Sequence, residues 1–336
     1  MSFLLILNSV LFVVTLSEYL ICMKYVNMEY GYKNEWFNVL LSLMFTPFYS
    51  CFFIHKFSWE QIKSYTSPEN RHVLLYPIGT GILYTIETVT VFFALNTITL
   101  SYYTILRSGF IIFNIPWFKY LLKKPVTRLY IASCVSLVIA QILSTKQYIM
   151  TSETPNTVVR DAAVVLFSCF LNATYNNIIE YAMLRHGNHI QSIDFQIIFQ
   201  CTYLIIASPF AIFYTVKNTP PINPKTVTMY FFIAFGLQLY MFNKIYILNT
   251  SKRSAVPANI LLSGLDLARR VIQLTYSFVW FKEPLDTIIG ISVMFLVLSG
   301  SILFYQYVHD YRTSFNDRQN HIEMKEQELD ETLENV

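Results

Sequence analysis

Long apolar runs, separated by short polar stretches, dominate this chain of 336 residues. Crossing the hydrocarbon core of a bilayer takes about 20 consecutive apolar residues in a helix. Ten runs approach that length and predict an all-α polytopic membrane protein with ten transmembrane helices. The composition agrees, because only 13% of the residues are charged, against about a quarter in a soluble protein. The predicted spans cover 3–23, 37–54, 73–95, 99–121, 129–145, 159–184, 195–216, 227–248, 255–281 and 287–308.

An internal repeat organises these spans. The stretch 121–148 resembles the stretch 280–307, which lies 159 residues later (280 − 121). Seven of the 26 positions from Lys123 to Tyr148 are identical to their counterparts, without a gap. Because five spans, an odd number, separate the equivalent hairpins, the halves 1–150 and 159–310 are expected to face opposite ways. Inverted repeats of this kind are typical of secondary transporters, which bind substrate between the halves.

The distribution of basic residues predicts the orientation. With a cytosolic N-terminus, 13 Lys and Arg residues lie on the cytosolic side and 7 on the other, as the positive-inside rule requires. Both termini are therefore expected in the cytosol. The transmembrane domain is expected to cover residues 1–310. The acidic tail, 311–336, lacks an apolar stripe and is expected to be disordered or a frayed helix in water.

Several classes of function are disfavoured by the sequence. The net charge of +3 is too small to indicate a nucleic-acid partner. The five cysteines all lie inside apolar runs with no CxxC pair, so neither a disulfide framework nor a metal site is indicated. No Ser-His-Asp set or metal-ligand spacing stands out. We therefore expect neither an enzyme nor a bound cofactor.

Charged residues inside the predicted spans are the strongest functional signal. Intramembrane charges are costly and usually mark a substrate or ion pathway. Four are basic and four are acidic, so mutual pairing that only fixes helix packing remains an alternative. The eight residues are Arg107, Lys244, Arg269, Arg270, Glu18, Glu87, Glu180 and Asp266.

The ninth span concentrates three of these charges in LLSGLDLARRVIQLTYSFVWF. At about 100° per residue, Arg269 and Arg270 flank Asp266 on a helix. If Asp266 pairs with one arginine, the other is left to bind an anion. The 159-residue offset places Arg107, in SYYTILRSGF, at the position of Asp266, so three arginines are expected to converge. Arginine remains charged and binds phosphate through two parallel hydrogen bonds, which favours a substrate with phosphate or carboxylate groups.

Other polar and aromatic residues in the spans are secondary candidates. Tyr103 and Tyr276 lie near the arginines in sequence and are candidates for stacking on a base or sugar. Glu18 and Glu87 are lone acids, each a candidate counter-ion or proton site. Glu180 is a third candidate for these two roles. It shares a helix face with Asn172 and Asn176, which indicates either contact with another helix or a polar cavity.

Two motifs of the repeat resemble a known family. LNTITLSYYTILRSGFIIFN with LLKKPVT, and SGLDLARRVIQLTYSFVWFKEPL with GISVMFLVLSGSILFY, resemble the nucleotide-sugar and triose-phosphate translocator branch of the drug/metabolite transporter superfamily. The resemblance covers about half of the chain. It implies ten helices in two inverted halves, cytosolic termini, and exchange of a nucleotide sugar for a nucleoside monophosphate across Golgi or endoplasmic reticulum membranes.

The resemblance also assigns roles to particular residues. Arg269 and Arg270 occupy the place of a phosphate-binding Lys-Arg pair of the triose-phosphate branch. Arg107, Ser108 and Gly109 resemble a fourth-span motif of carriers of UDP-xylose and UDP-N-acetylglucosamine. The motifs of GDP-mannose carriers are missing from the seventh and ninth spans, which disfavours that substrate.

The sequence thus predicts a substrate site formed by Arg107, Lys244, Asp266, Arg269 and Arg270, with Tyr103 and Tyr276. The expected partners are an anionic small molecule and the lipid bilayer, and a homodimer is left open. One alternative is a proton-coupled carrier of cationic or neutral compounds, with Glu18 or Glu87 as the proton site. A second alternative is a membrane scaffold that transports nothing.

Overall fold

A computed structural model describes residues 70–152, 155–187, 189–217, 243–249 and 258–334, and a few isolated residues elsewhere. The described residues form helices and turns with no strand, which confirms the all-α prediction for this part of the chain. The first two predicted spans and most of the eighth lie outside it. Four of the described helices are long and apolar enough to cross a membrane: Arg71–Leu95, Arg128–Thr151, Thr157–His186 and Thr287–Asp310.

Eight α-helices follow one another along the described residues. The first is preceded by a 3-10 turn, Arg71–Leu74, and the third is followed by a π-helical turn, Trp117–Leu121. A further helical segment covers 243–249. The helices are α1 (Leu75–Thr97), α2 (Leu100–Arg107), α3 (Phe110–Pro116), α4 (Arg128–Thr151), α5 (Pro155–His186), α6 (Ser192–Lys217), α7 (Ala258–Val279) and α8 (Thr287–Glu334).

The predicted fourth span is an interrupted helix. Thr99 caps its start, because the Thr99 side chain accepts a hydrogen bond from the backbone N–H of Tyr102 at 3.4 Å. The helix breaks at Ser108 and Gly109, between α2 and α3. A Cβ at Gly109 would lie 2.5 Å from Nε2 of Gln141 on α4, so a glycine permits this close approach. The break falls directly after Arg107, the charged residue of this span.

The same turn conformation occurs at two places that are 159 residues apart. Lys123 and Lys282 both adopt the left-handed region, with φ of 53° and 52°, which is uncommon for residues other than glycine. The backbone N–H of Leu122 donates to Trp117 at 3.0 Å, and that of Phe281 donates to Tyr276 at 3.2 Å. The helices that follow, α4 and α8, begin at equivalent positions and pack against each other. Ser136 Oγ of α4 donates to the carbonyl of Phe295 of α8 at 2.7 Å.

Two carboxylates hold the N-termini of α2 and α7. Glu283, in the turn after α7, accepts the backbone N–H groups of Leu100 and Ser101 at 2.8 and 2.9 Å. Glu180 of α5 accepts those of Ala258 and Asn259 at 2.9 and 3.1 Å. A carboxylate at a helix N-terminus satisfies orphan N–H groups and complements the helix dipole. These contacts fix α2 and α7, the two helices that carry the arginines.

Helix α8 continues beyond the membrane-length segment. Its helical conformation extends through the acidic tail to Glu334. Of the two states expected for this tail, disordered or helical, the structure has the helix.

Candidate functional site

Asp266 on α7 is bound by both of its neighbouring arginines. Nε of Arg270 donates to Oδ2 of Asp266 at 2.8 Å, and Nη2 of Arg269 donates to Oδ1. All three side chains are buried. The expectation that Asp266 would satisfy only one arginine is therefore wrong, because each arginine binds a different carboxylate oxygen. The group nevertheless combines two positive charges with one negative charge.

Arg270 also links α7 to α2. Its Nη1 donates to the backbone carbonyl of Thr104 at 3.3 Å. Tyr103, the preceding residue, is fully buried and lies within electrostatic range of Arg270, Arg269 and Asp266. Tyr103 therefore lies close to the arginines, and its contact with a substrate stays a prediction.

Arg107 of α2 is held by residues of α1 and α5. Its guanidinium forms an ion pair with Glu87 of α1 and donates through Nη1 to Ser168 Oγ of α5 at 2.5 Å. Arg107 is also within electrostatic range of Asp266. Three arginines therefore lie in one region, but the guanidinium of Arg107 is engaged by Glu87 rather than by Asp266.

Lys244 approaches the same region from the helical segment 243–249. Its Nζ donates to the hydroxyl of Tyr175 at 2.9 Å and lies 4.2 Å from the centre of that ring. Lys244 is fully buried and within electrostatic range of Asp266, Arg107 and Arg269. Tyr84 contacts Tyr175 edge to face, with ring centroids 5.7 Å apart. The lysine therefore lies between the arginines and an aromatic pair formed by Tyr84 and Tyr175.

These contacts define one cluster, which we call the basic centre: Glu87, Arg107, Lys244, Asp266, Arg269 and Arg270. It contains four basic and two acidic side chains, each at most 5% exposed. Glu18, which lies outside the described residues, would add at most one further negative charge from the predicted spans. Among the described residues, the centre therefore carries two more basic than acidic side chains. Charged side chains buried within membrane-spanning helices usually mark a substrate or ion pathway.

Two predicted site residues lie elsewhere. Tyr276 is 40% exposed and stacks on Trp280, with ring centroids 6.2 Å apart, so the structure does not bring it to the basic centre. Glu180 caps α7, and one of its oxygens lies 3.5 Å from Nζ of Lys124. Burial lowers the pKa of Lys124, and the negative charge of Glu180 opposes that shift. In the part of the chain that the structure describes, Glu180 thus caps α7 and pairs with Lys124.

The predicted polar stripe of α5 contacts other polar groups. Nδ2 of Asn176 donates to Asn172 at 2.7 Å, within the helix. Asn177, which lies beside this stripe, connects further helices: its Nδ2 donates to Asn114 of α3 at 2.7 Å, and its Oδ1 accepts from Asn259 of α7 at 3.1 Å. This network joins three helices on the side of the Lys123 turn.

Sequence reasoning missed Gln273 and Ser168. Gln273 is fully buried, and its position three residues after Arg270 places it on the same helical face. A glutamine on the arginine-bearing face of the ninth span is the sequence signal that identifies it. Ser168 has no such signal, because only the packing of α5 against α2 brings it to Arg107.

Comparison of the chain with known protein families and with curated proteins found no match. The basic centre and the repeat are therefore the features from which a function can be inferred.

Proposed function

We propose that this protein is a secondary transporter that exchanges phosphorylated anions across a Golgi or endoplasmic reticulum membrane. The favoured pair is a nucleotide sugar and a nucleoside monophosphate. The observation that carries the proposal is the buried excess of positive charge in the basic centre. A phosphorylated substrate supplies the missing negative charge, whereas an organic cation would increase the imbalance.

The geometry of α7 suits phosphate recognition. Arg269 and Arg270 approach one carboxylate from both sides, and a carboxylate resembles phosphate in presenting two acceptor oxygens. Asp266 thus holds both guanidinium groups in place while no substrate is bound. A phosphate group that enters would replace one or both of these bonds. Tyr103 and the aromatic pair beside Lys244, Tyr84 and Tyr175, would then contact the base or the sugar.

The proposed architecture is ten helices in two inverted halves, with both termini in the cytosol. The repeated turn at Lys123 and Lys282 supports the repeat, as does the offset between α4 and α8. The basic centre lies where α2 of one half meets α7 of the other. Rocking of the halves would expose this site to each side in turn. An empty centre with more basic than acidic side chains would be costly to reorient, which explains why substrate would be exchanged rather than transported one way.

Two alternatives make different predictions. A proton-coupled carrier would use Glu18 or Glu87 as its proton site, and uptake of organic cations driven by a pH gradient would be lost in Glu18→Gln. A membrane scaffold would bind no nucleotide at all. The ion pair of Glu87 with Arg107 fits a fixed counter-ion better than an acid that must release its partner in each cycle. The proposal includes no catalytic step and no cofactor.

A thermal-shift screen of the purified protein tests the proposed substrate class. The ligands are nucleoside mono- and diphosphates of each base, with the unphosphorylated nucleosides as matched controls. We expect at least one nucleotide to raise Tm by several degrees because ligand binding stabilises the folded state. The corresponding nucleoside should have little effect. No stabilisation by any phosphorylated compound would contradict the proposal.

A further inference from the structure

One polar contact between α3 and α7 has a counterpart at the other end of the basic centre. Nδ2 of Asn114 lies 3.4 Å from Oγ of Ser263. Adding 159 to 114 gives Gln273, and subtracting 159 from 263 gives Thr104. The repeat therefore relates the first polar pair, Asn114 and Ser263, to a second polar pair, Gln273 and Thr104.

The two pairs differ in their hydrogen bonding. The first pair is closed and belongs to the network in which Asn114 also accepts from Asn177. In the second pair, Oγ1 of Thr104 and both Oε1 and Nε2 of Gln273 have no hydrogen-bond partner in the described part of the chain. Both side chains are fully buried. Unsatisfied buried polar groups are costly and call for an explanation.

The location of the second pair points to a conformational role. The backbone carbonyl of Thr104 already accepts from Arg270, so α2 and α7 are in contact at this position. None of the three unpaired atoms is accessible to solvent, so the site offers no room for a water or a ligand group in this conformation. Asn114 and Ser263 show that an amide and a hydroxyl at the equivalent positions form a hydrogen bond.

We propose that the two polar pairs close alternately during transport. In the conformation described, Asn114 binds Ser263 and closes the side of the Lys123 turn, which is predicted to be cytosolic. In the opposite conformation, Gln273 binds Thr104, and Asn114 releases Ser263. The inference follows from the inverted arrangement, because exchanging the conformations of two inverted halves exchanges the states of equivalent contacts. The inference rests on the proposed function. It identifies the four residues whose hydrogen bonds favour one or the other of the transporter's two conformations.

Disulfide trapping tests this alternation without any substrate. All five native cysteines are replaced by serine, and Thr104→Cys is combined with Gln273→Cys. The rate of crosslinking by an added oxidant then reports how often the second pair approaches. Adding Ser263→Ala weakens the first pair and should raise that rate about five-fold, because one hydrogen bond no longer favours the described conformation. A parallel protein with Asn114→Cys and Ser263→Cys should crosslink readily, and Thr104→Val should not slow it.

The matched control is Ser292→Ala. Ser292 is also fully buried, but its hydroxyl donates to Ile288 of its own helix at 2.9 Å, so its removal should leave the rate unchanged. Asn114→Ser replaces Ser263→Ala if the latter fails to fold, because serine is too short to reach Ser263. The proposal is overturned if the second pair does not crosslink, or if Ser263→Ala and Ser292→Ala give the same rate. Nucleotide binding in the thermal-shift screen does not depend on this alternation. A failure of the alternation can therefore be distinguished from a failure of the proposed transport function.

Discussion

Asp266 shows how a single carboxylate can organise a membrane site. It accepts hydrogen bonds from Arg269 and Arg270, and all three side chains are removed from solvent. Removing one partner of a buried charged group leaves the other uncompensated, which typically costs about 3–5 kcal/mol. The carboxylate thus stabilises the protein in the absence of substrate, and the proposed phosphorylated substrate would compete for the same donors.

The first prediction concerns Asp266→Asn. The neutral amide leaves two arginines without their counter-ion, so the unliganded protein should have a lower Tm. A nucleotide that binds the arginines should then raise Tm more in the variant than in the wild type, because it restores the missing negative charge. Thermal shift with and without nucleotide measures both effects. The control is Asp310→Asn on α8, where the partner is the exposed His309, and an equal nucleotide shift in wild type and Asp266→Asn would contradict this role.

The second prediction concerns the ion pair of Arg107 with Glu87. Each single change, Arg107→Gln or Glu87→Gln, should destabilise the protein by about 3 kcal/mol because it leaves an unpaired buried charge. The double variant should be more stable than either single variant, since no charge is then left alone. Tm values of the four proteins form a double-mutant cycle. Additive losses would show that the two side chains act independently.

The sequence predicted the charged residues of the site but not their pairing. Spacing on one helix was enough to place Asp266 beside both arginines. It was not enough to show that Glu87 engages Arg107, because that contact depends on how α1 packs against α2. Tyr276 was misplaced for a related reason, since its proximity to Arg270 in sequence says nothing about which face of α7 meets solvent or lipid.

At the scale of elements, the interruption between α2 and α3 is the feature that sets the position of Arg107. Gly109 lets α4 approach closely, and Nε2 of Gln141 donates to the carbonyl of Leu106 at 3.0 Å. The same carbonyl also accepts the backbone N–H of Gly109 at 3.0 Å. The Gly109 backbone and the Gln141 side chain therefore meet at one acceptor beside the break.

The third prediction follows from this contact. Gly109→Ala should displace Gln141 and destabilise the protein by about 1 kcal/mol, the usual value of one hydrogen bond. Gly79→Ala on α1 is the matched control, because its Cβ would meet nothing within 4 Å and alanine is the better helix former. In a Gln141→Ala background, Gly109→Ala should cost much less. Thermal unfolding of these variants distinguishes the cases. A loss of stability on Gly109→Ala that persists in the Gln141→Ala background would refute the explanation.

The apolar runs predicted the membrane-length helices well because length and hydropathy alone decide them. Helices α1, α4 and α5 and the first part of α8 match their predicted spans closely. The junction between α1 and α2 is short, since α1 ends at Thr97 and α2 begins at Leu100. The π-helical turn Trp117–Leu121 carries no comparable signal in the length or hydropathy of its run.

At the scale of the whole molecule, the repeat connects the fold to the proposed transport. The turns at Lys123 and Lys282 have the same backbone conformation. Glu180 caps the N-terminus of α7 and Glu283 caps that of α2, and these two helices carry the arginines of the basic centre. The site lies where these related helices meet. A site in this position can be reached from either side when the halves move. The ten-helix count and the inverted topology stay predictions that extend beyond the described residues.

The account depends most on the claim that Arg269 and Arg270 bind the phosphate of a transported substrate. The direct measurement is exchange of a radiolabelled nucleotide sugar in proteoliposomes that contain the nucleoside monophosphate. The variants are Arg269→Ala, Arg270→Ala and, as a control, Arg128→Ala, whose side chain is exposed at the start of α4. The exchange rate of each variant is divided by the amount of folded, inserted protein. The account predicts that both α7 variants lose exchange while Arg128→Ala retains it, and normal exchange by both α7 variants would contradict it.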